Sequence, residues 1–199
     1  MSPDMLADFA IPEHHRAYRS KYLQKPCCWL LRWRGWRIEG ELPAARKLIL
    51  AVGPHTSNWD FIVSVAAMLA LDMRIYWLGK HSLFRWPLTG LLVRLGGIPV
   101  NRGNTAGVAE QIGQRLRDAD EMMIAITPEG TRRKVAELKT GFSRIGRAGH
   151  CQVLPVTLDF ARREIRLHDL FEPGDDPEAD ALRMRNIFAT ATPRHPVNF

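Results

Sequence analysis

An α/β fold, with a mostly parallel central sheet flanked by helices, is predicted by three observations. Short continuous apolar runs at 48–52, 122–126 and 153–160 have the length and composition of strands buried on both faces. Helical stretches alternate with them along the chain, the connection that a parallel sheet requires. The composition, 46% hydrophobic and 25% charged over 199 residues, is that of one folded domain with a real core.

The elements follow in order. A strand at 48–52 leads to a helix at 58–71, and a strand at 75–78 leads to a helix at 82–95 that carries a Pro and a Gly. A short strand at 98–100 precedes a helix from Thr105, a plausible N-cap, to about Asp118. A strand at 122–126 and a short helix at 140–149 come next, and runs at 153–160 and 164–167 complete the sheet as a hairpin. Asp176-Pro177 pairs a capping residue with Pro at the first helical position and starts a last helix.

Charge is unevenly placed. The 28 Lys and Arg exceed the 21 Asp and Glu by 7, and residues 14–37 hold seven basic residues and no acidic one, so the rest of the chain is balanced. The same segment contains Tyr18, Tyr22, Trp29, Trp33 and Trp36. Three Trp at i, i+4 and i+7 fall on one helical face, with Arg32, Arg34 and Arg37 interleaved. Such a helix suits the headgroup–acyl boundary of a membrane surface, although the Trp face could equally pack on the domain. No helix-turn-helix, RNP or zinc-finger pattern accompanies it, so no nucleic acid partner is expected. The segment 1–38 is therefore read as a helical membrane-interface segment, and 39–199 as the α/β domain.

No apolar stretch approaches the roughly 20 residues of a transmembrane span, and the first ten residues carry Asp4 and Asp8 and no basic cluster of a signal peptide. Cys27, Cys28 and Cys151 form no framework, which points to a reducing compartment. The expected location is the cytoplasmic side of a membrane, peripheral or monotopic.

Two loops after strands carry reactive residues. Gly53-Pro54-His55-Thr56-Ser57-Asn58-Trp59-Asp60 sets a His five residues before an Asp in the first turn of a helix. The Asp can accept the imidazole Nδ1–H and leave Nε2 free to take a proton. Asp60 also suits a helix N-terminus on electrostatic grounds alone. Ser57 offers a nucleophile, but it lacks a GxSxG elbow and more naturally caps the helix. The second loop, Thr127-Pro128-Glu129-Gly130-Thr131-Arg132, joins a carboxylate, a Gly and an Arg, a set suited to a phosphate-bearing ligand or to a solvated turn. A weaker element, Gly96-Gly97-Ile98-Pro99-Val100-Asn101-Arg102, also ends in an Arg. His14, His15, His81, His150, His168 and His195 show no ligand spacing, and no metal is expected.

Taken in order, HxxxxD, G-I-x-V-x-R, P-E-G-T-R and Leu154-Pro155-Val156 resemble the four sequence blocks of the glycerophospholipid acyltransferase family, over about residues 48–158. The segment 128–132 is the most specific part. Thr127 and Arg133 stand where the family usually has an aromatic and a Ser, and Asn101 where an Asp is frequent. Arg194-His195-Pro196 faintly resembles a C-terminal element of lipid-modifying relatives.

The resemblance implies acyl transfer from acyl-CoA or acyl carrier protein to a hydroxyl of a lysophospholipid-like acceptor of the 1-acylglycerol-3-phosphate type, with no cofactor. It implies His55 as general base, Asp60 as its orienter, and Arg102, Glu129, Gly130, Thr131, Arg132 and Lys139 as the substrate-binding set. A different hydroxylated acceptor such as an aminolipid or glycolipid, a non-catalytic lipid-binding protein, and a hydrolase using Ser57 are the alternatives.

Overall fold

Seven strands share one sheet in the computed structural model, which describes residues 9–100 and 105–199. In chain order they are β1 (Arg37–Glu39), β2 (Lys47–Gly53), β3 (Tyr76–Lys80), β4 (Gly97–Val100), β5 (Met122–Ile126), β6 (Gln152–Asp159) and β7 (Glu164–Leu167). Their spatial order is β1-β7-β6-β2-β5-β3-β4. Every neighbouring pair is parallel except the β6–β7 hairpin.

Side chains of the central strands alternate between two layers, as a strand covered on both faces demands. Leu48, Leu50 and Met123 face the helices α1 (Lys21–Trp33) and α2 (Asn58–Ala70). Ile49, Ala51 and Ile124 face α4 (Thr105–Asp118), α5 (Gly141–Gly149) and α6 (Pro177–Phe188). Ile11, Leu31, Trp36 and Ile38 are buried in the first layer, and His15 Nε2 lies 2.9 Å from the Ala45 carbonyl. The N-terminal segment is thus packed on the sheet. Asp176 accepts the N–H groups of Glu178 and Ala179 and caps α6 as its sequence predicts.

Three elements differ from expectation. The helix expected at 82–95 is a 3₁₀ turn at His81–Leu83 and a short α3 (Thr89–Arg94), because Pro87 lacks an N–H and disfavours helical backbone before it. Strand β1 carried no apolar run to reveal it. The three-Trp face is also broken. Helix α1 ends at Trp33, Gly35 takes φ +72°, and the Trp36 N–H donates to the Leu31 carbonyl at 2.8 Å. This Schellman-type ending turns the chain back. Trp36 is consequently buried edge-on against Phe160, with ring centroids 5.1 Å apart, whereas Trp29 and Trp33 stack together on the exposed face.

Candidate active site

Parallel pairing of β2 with β5 brings two distant loops to the same end of the sheet. The loop after β2 carries His55, and the loop after β5 carries Glu129 and Arg132. This carboxyl end is where ligands of open α/β sheets bind.

His55 Nδ1 lies 3.3 Å from Asp60 Oδ2, with Asp60 buried. The other ring nitrogen has no partner among the described residues. Asp60 is held by its own loop: Oδ2 accepts the N–H groups of Thr56 at 2.7 Å and Ser57 at 2.6 Å, and Oδ1 accepts the Ser57 hydroxyl at 3.1 Å. Ser57 Oγ in turn accepts the Trp59 N–H at 3.1 Å, completing a capping box at the start of α2. One carboxylate thus caps the helix and faces the imidazole. Ser57 is buried and spent on the cap, which leaves no free nucleophile at that position.

Glu129 sits behind the histidine. Its Oε2 accepts the His55 N–H at 2.6 Å, and its buried Oε1 has no partner among the described residues. Burial foremost, with the charge of Asp60 adding to it, pushes this carboxyl up to about 7 against the opposing His55 hydrogen bond. Gly130 follows with φ +64°, a left-handed conformation that suits glycine, and a Cβ there would lie 3.0 Å from the Lys139 side chain. The Lys139 N–H donates to the Pro128 carbonyl at 2.8 Å, folding the later basic residue back over the loop. Thr131 Oγ1 accepts the Arg133 N–H at 3.3 Å. Arg102 lies outside the described residues.

His55 and Arg132 line one cavity of about 380 Å³. Its wall is otherwise mostly apolar, with Val52 and Ala125 from the sheet and Phe61, Val65 and Met68 from α2. It extends to Phe9, Ile38 and Met73, and the exposed Leu83 and Leu88 also line it. Beside them Trp86 is 92% exposed, so an apolar surface adjoins the cavity.

Sequence reasoning missed one support of the site. The His195 N–H donates to Thr56 Oγ1 at 3.2 Å, and Asn198 Nδ2 donates to the Thr56 carbonyl at 3.4 Å. The segment after α6 therefore packs against the residue following His55, a contact without a local sequence signal. Among the described residues no group of three or more His, Cys, Asp or Glu could hold a metal ion, and no helix is long and apolar enough to cross a membrane.

Comparison with known proteins gives two findings. The model of the family described as Acyltransferase matches residues 36–159. The crystal structure of the 1-acyl-sn-glycerophosphate (LPA) acyltransferase PlsC from Thermotoga maritima is similar in fold, with a TM-score of 0.60 at 17% identity, over 85% of this chain and 76% of that one. No curated protein matches the sequence.

Proposed function

The chain belongs to the acyltransferase family, and from that premise we propose that it moves a fatty acyl group from acyl-CoA or acyl carrier protein to a hydroxyl of a lysophospholipid-like acceptor of the 1-acylglycerol-3-phosphate type. The observation that carries this reading is a His–Asp pair opening onto a mostly apolar cavity of about 380 Å³ that also contains an arginine. An acyl chain needs the apolar wall, an acceptor hydroxyl needs the base, and an anionic headgroup suits the guanidinium.

In this mechanism Asp60 holds the imidazole by Nδ1, and Nε2 takes the acceptor's hydroxyl proton as its oxygen attacks the thioester carbonyl. The tetrahedral intermediate then collapses. The carbon–oxygen bond is kept, the carbon–sulfur bond breaks, and the imidazolium returns the proton to the departing thiolate. A thioester is reactive enough that no covalent enzyme intermediate is needed. Arg132, the only Lys or Arg among the described lining residues, would grip the acceptor's phosphate, together with Arg102. Glu129 positions His55 through its backbone N–H and would present Oε1 to the acceptor's glycerol portion.

Residues 1–38 serve in this reading as the membrane-interface segment through the exposed face of α1, while Ile11, Leu31 and Ile38 pack on the acyltransferase domain of 39–199, which works at the cytoplasmic face of a membrane. The stacked, exposed Trp29 and Trp33 support that placement, as does the exposed apolar surface around Trp86. The test is mass spectrometry of lipids after incubating the protein with lipid extract and isotopically labelled acyl-CoA or acyl carrier protein. Labelled phosphatidate-type product is expected. Labelled aminolipid or glycolipid would replace the acceptor assignment, and binding without turnover would remove the enzymatic one.

A further inference from the structure

A second cavity, of about 340 Å³, lies on the other side of α2 from the catalytic one. Helix α2 is the wall between them: Asp60, Phe61 and Ser64 line the first, while Trp59, Ile62 and Ala66 line the second. Leu31 of α1, Trp36 beyond its end and Phe160 after β6 add to the apolar wall. The volume is within the range of small-molecule sites, about 300–1,000 Å³.

Three arginines, Arg34, Arg163 and Arg194, line this apolar space, and no Asp or Glu lines it with them. Among the described residues none of the three makes an ion pair with a carboxylate. Their contacts are with neutral groups: the Arg163 guanidinium donates to the Arg34 carbonyl at 2.8 Å, Arg34 lies over the rings of Trp33 and Trp59, and Arg194 lies over Phe160. All three are exposed, so solvent screens their mutual repulsion, but together they offer an incoming anion three positive charges with no carboxylate among them. Guanidinium groups also match phosphate oxygens in fork geometry.

We propose that this cavity is a second binding site, separate from the catalytic one, for an anionic membrane glycerophospholipid. Arg34, Arg163 and Arg194 take the phosphate, and the aromatic and aliphatic wall takes the glycerol and the first methylenes of the chains. The assignment to a membrane lipid rests on the membrane reading above. The cavity adjoins the exposed face of α1, where Arg34 stacks on Trp33, and its own Trp59 and Ile62 are exposed. A lipid at the interface would reach it with its headgroup at the arginines and its chains toward the apolar surface.

The experiment is calorimetric titration of the full chain with dihexanoyl-phosphatidylglycerol and with dihexanoyl-phosphatidylcholine, each kept monomeric. The anionic lipid is expected to bind at least tenfold more tightly. That preference should vanish in the combined Arg34→Gln, Arg163→Gln, Arg194→Gln variant and persist in Arg132→Gln. If the triple variant does not fold, Ile62→Glu, at an exposed position, sets a negative charge at the cavity and should abolish the preference alone. Equal binding of the two lipids, or a preference that survives these changes, would overturn the proposal. So would tight binding of free coenzyme A that the same variants lose, since the cluster would then serve the donor's phosphates. Monomeric lipids need no bilayer, so failure here is separable from failure of vesicle binding.

Discussion

The backbone N–H of His55 donates to the buried carboxyl of Glu129 across 2.6 Å, joining residues 74 positions apart in the chain. His55 is thereby approached from two sides, by Asp60 at its ring and by Glu129 at its backbone. Each partner has a distinct experimental signature.

Glu129 makes stability depend on pH. Its carboxyl titrates near 7 in the folded protein against 4.5 ordinarily, so between those values the folded state keeps a proton that the unfolded chain has released. Stability should fall as pH rises through that window, by about 3 kcal/mol in full above it. Glu129→Gln keeps an acceptor for the His55 N–H and removes the titration. Denaturant unfolding should show the variant gaining on the parent from pH 4.5 to about 8, and a pH-independent difference would refute the assignment.

His55→Ala should lower turnover by about 10²- to 10⁴-fold without unfolding the protein, the usual worth of a positioned general base. Asp60→Asn should also lower turnover and in addition destabilise the fold by about 1 kcal/mol, because the same carboxylate caps α2. Steady-state rates paired with thermal melts separate the effects. A folded His55→Ala protein with parental turnover would end the mechanism.

Arg132→Ala should raise the acceptor's KM, at a cost of about 1.5–3 kcal/mol for a lost charged hydrogen bond, and Arg102→Ala should do the same. Lysine at either position should restore only part, lacking the bidentate fork. An unchanged KM in both alanine variants would show that the phosphate is held elsewhere.

The tryptophans should divide by function. Replacing Trp29 and Trp33 with Ala should leave the melting temperature nearly unchanged and make binding to anionic vesicles fully removable by salt. Trp36→Ala should instead cost about 3–5 kcal/mol of stability, as truncation of a buried aromatic does. Vesicle sedimentation beside thermal melts checks both, and a large stability loss from the Trp29 and Trp33 changes would contradict their exposed placement.

Much of this was legible in sequence. The apolar runs of β2, β5 and β6 have no other sensible partner than a doubly covered sheet, and Asp176-Pro177 announced α6 by its capping chemistry. The pairing of His55 with Asp60 is local, so spacing was enough to suggest it. The approach of Glu129 to His55 is not local, and only the parallel pairing of β2 with β5 creates it. Helical periodicity alone puts Trp36 on the face of Trp29 and Trp33, but the turn at Gly35 that ends α1 carries it into the core. The support of Thr56 by His195 and Asn198 runs through backbone and amide atoms, which leave no pattern in side-chain chemistry.

Neighbours Ile49 and Ile124 are in register across β2 and β5, as are Leu50 and Ala125. A slip of one residue would send Met123 and Ile124 into each other's layers. It would also carry Glu129 about 3.3 Å along the strand axis, beyond reach of the His55 N–H. The alternation that fills the two halves of the interior is therefore the same constraint that brings Glu129 to His55. A substitution deep in the sheet, far from His55, can therefore reach the site, because whatever shifts the pairing of these two central strands also draws Glu129 away from it.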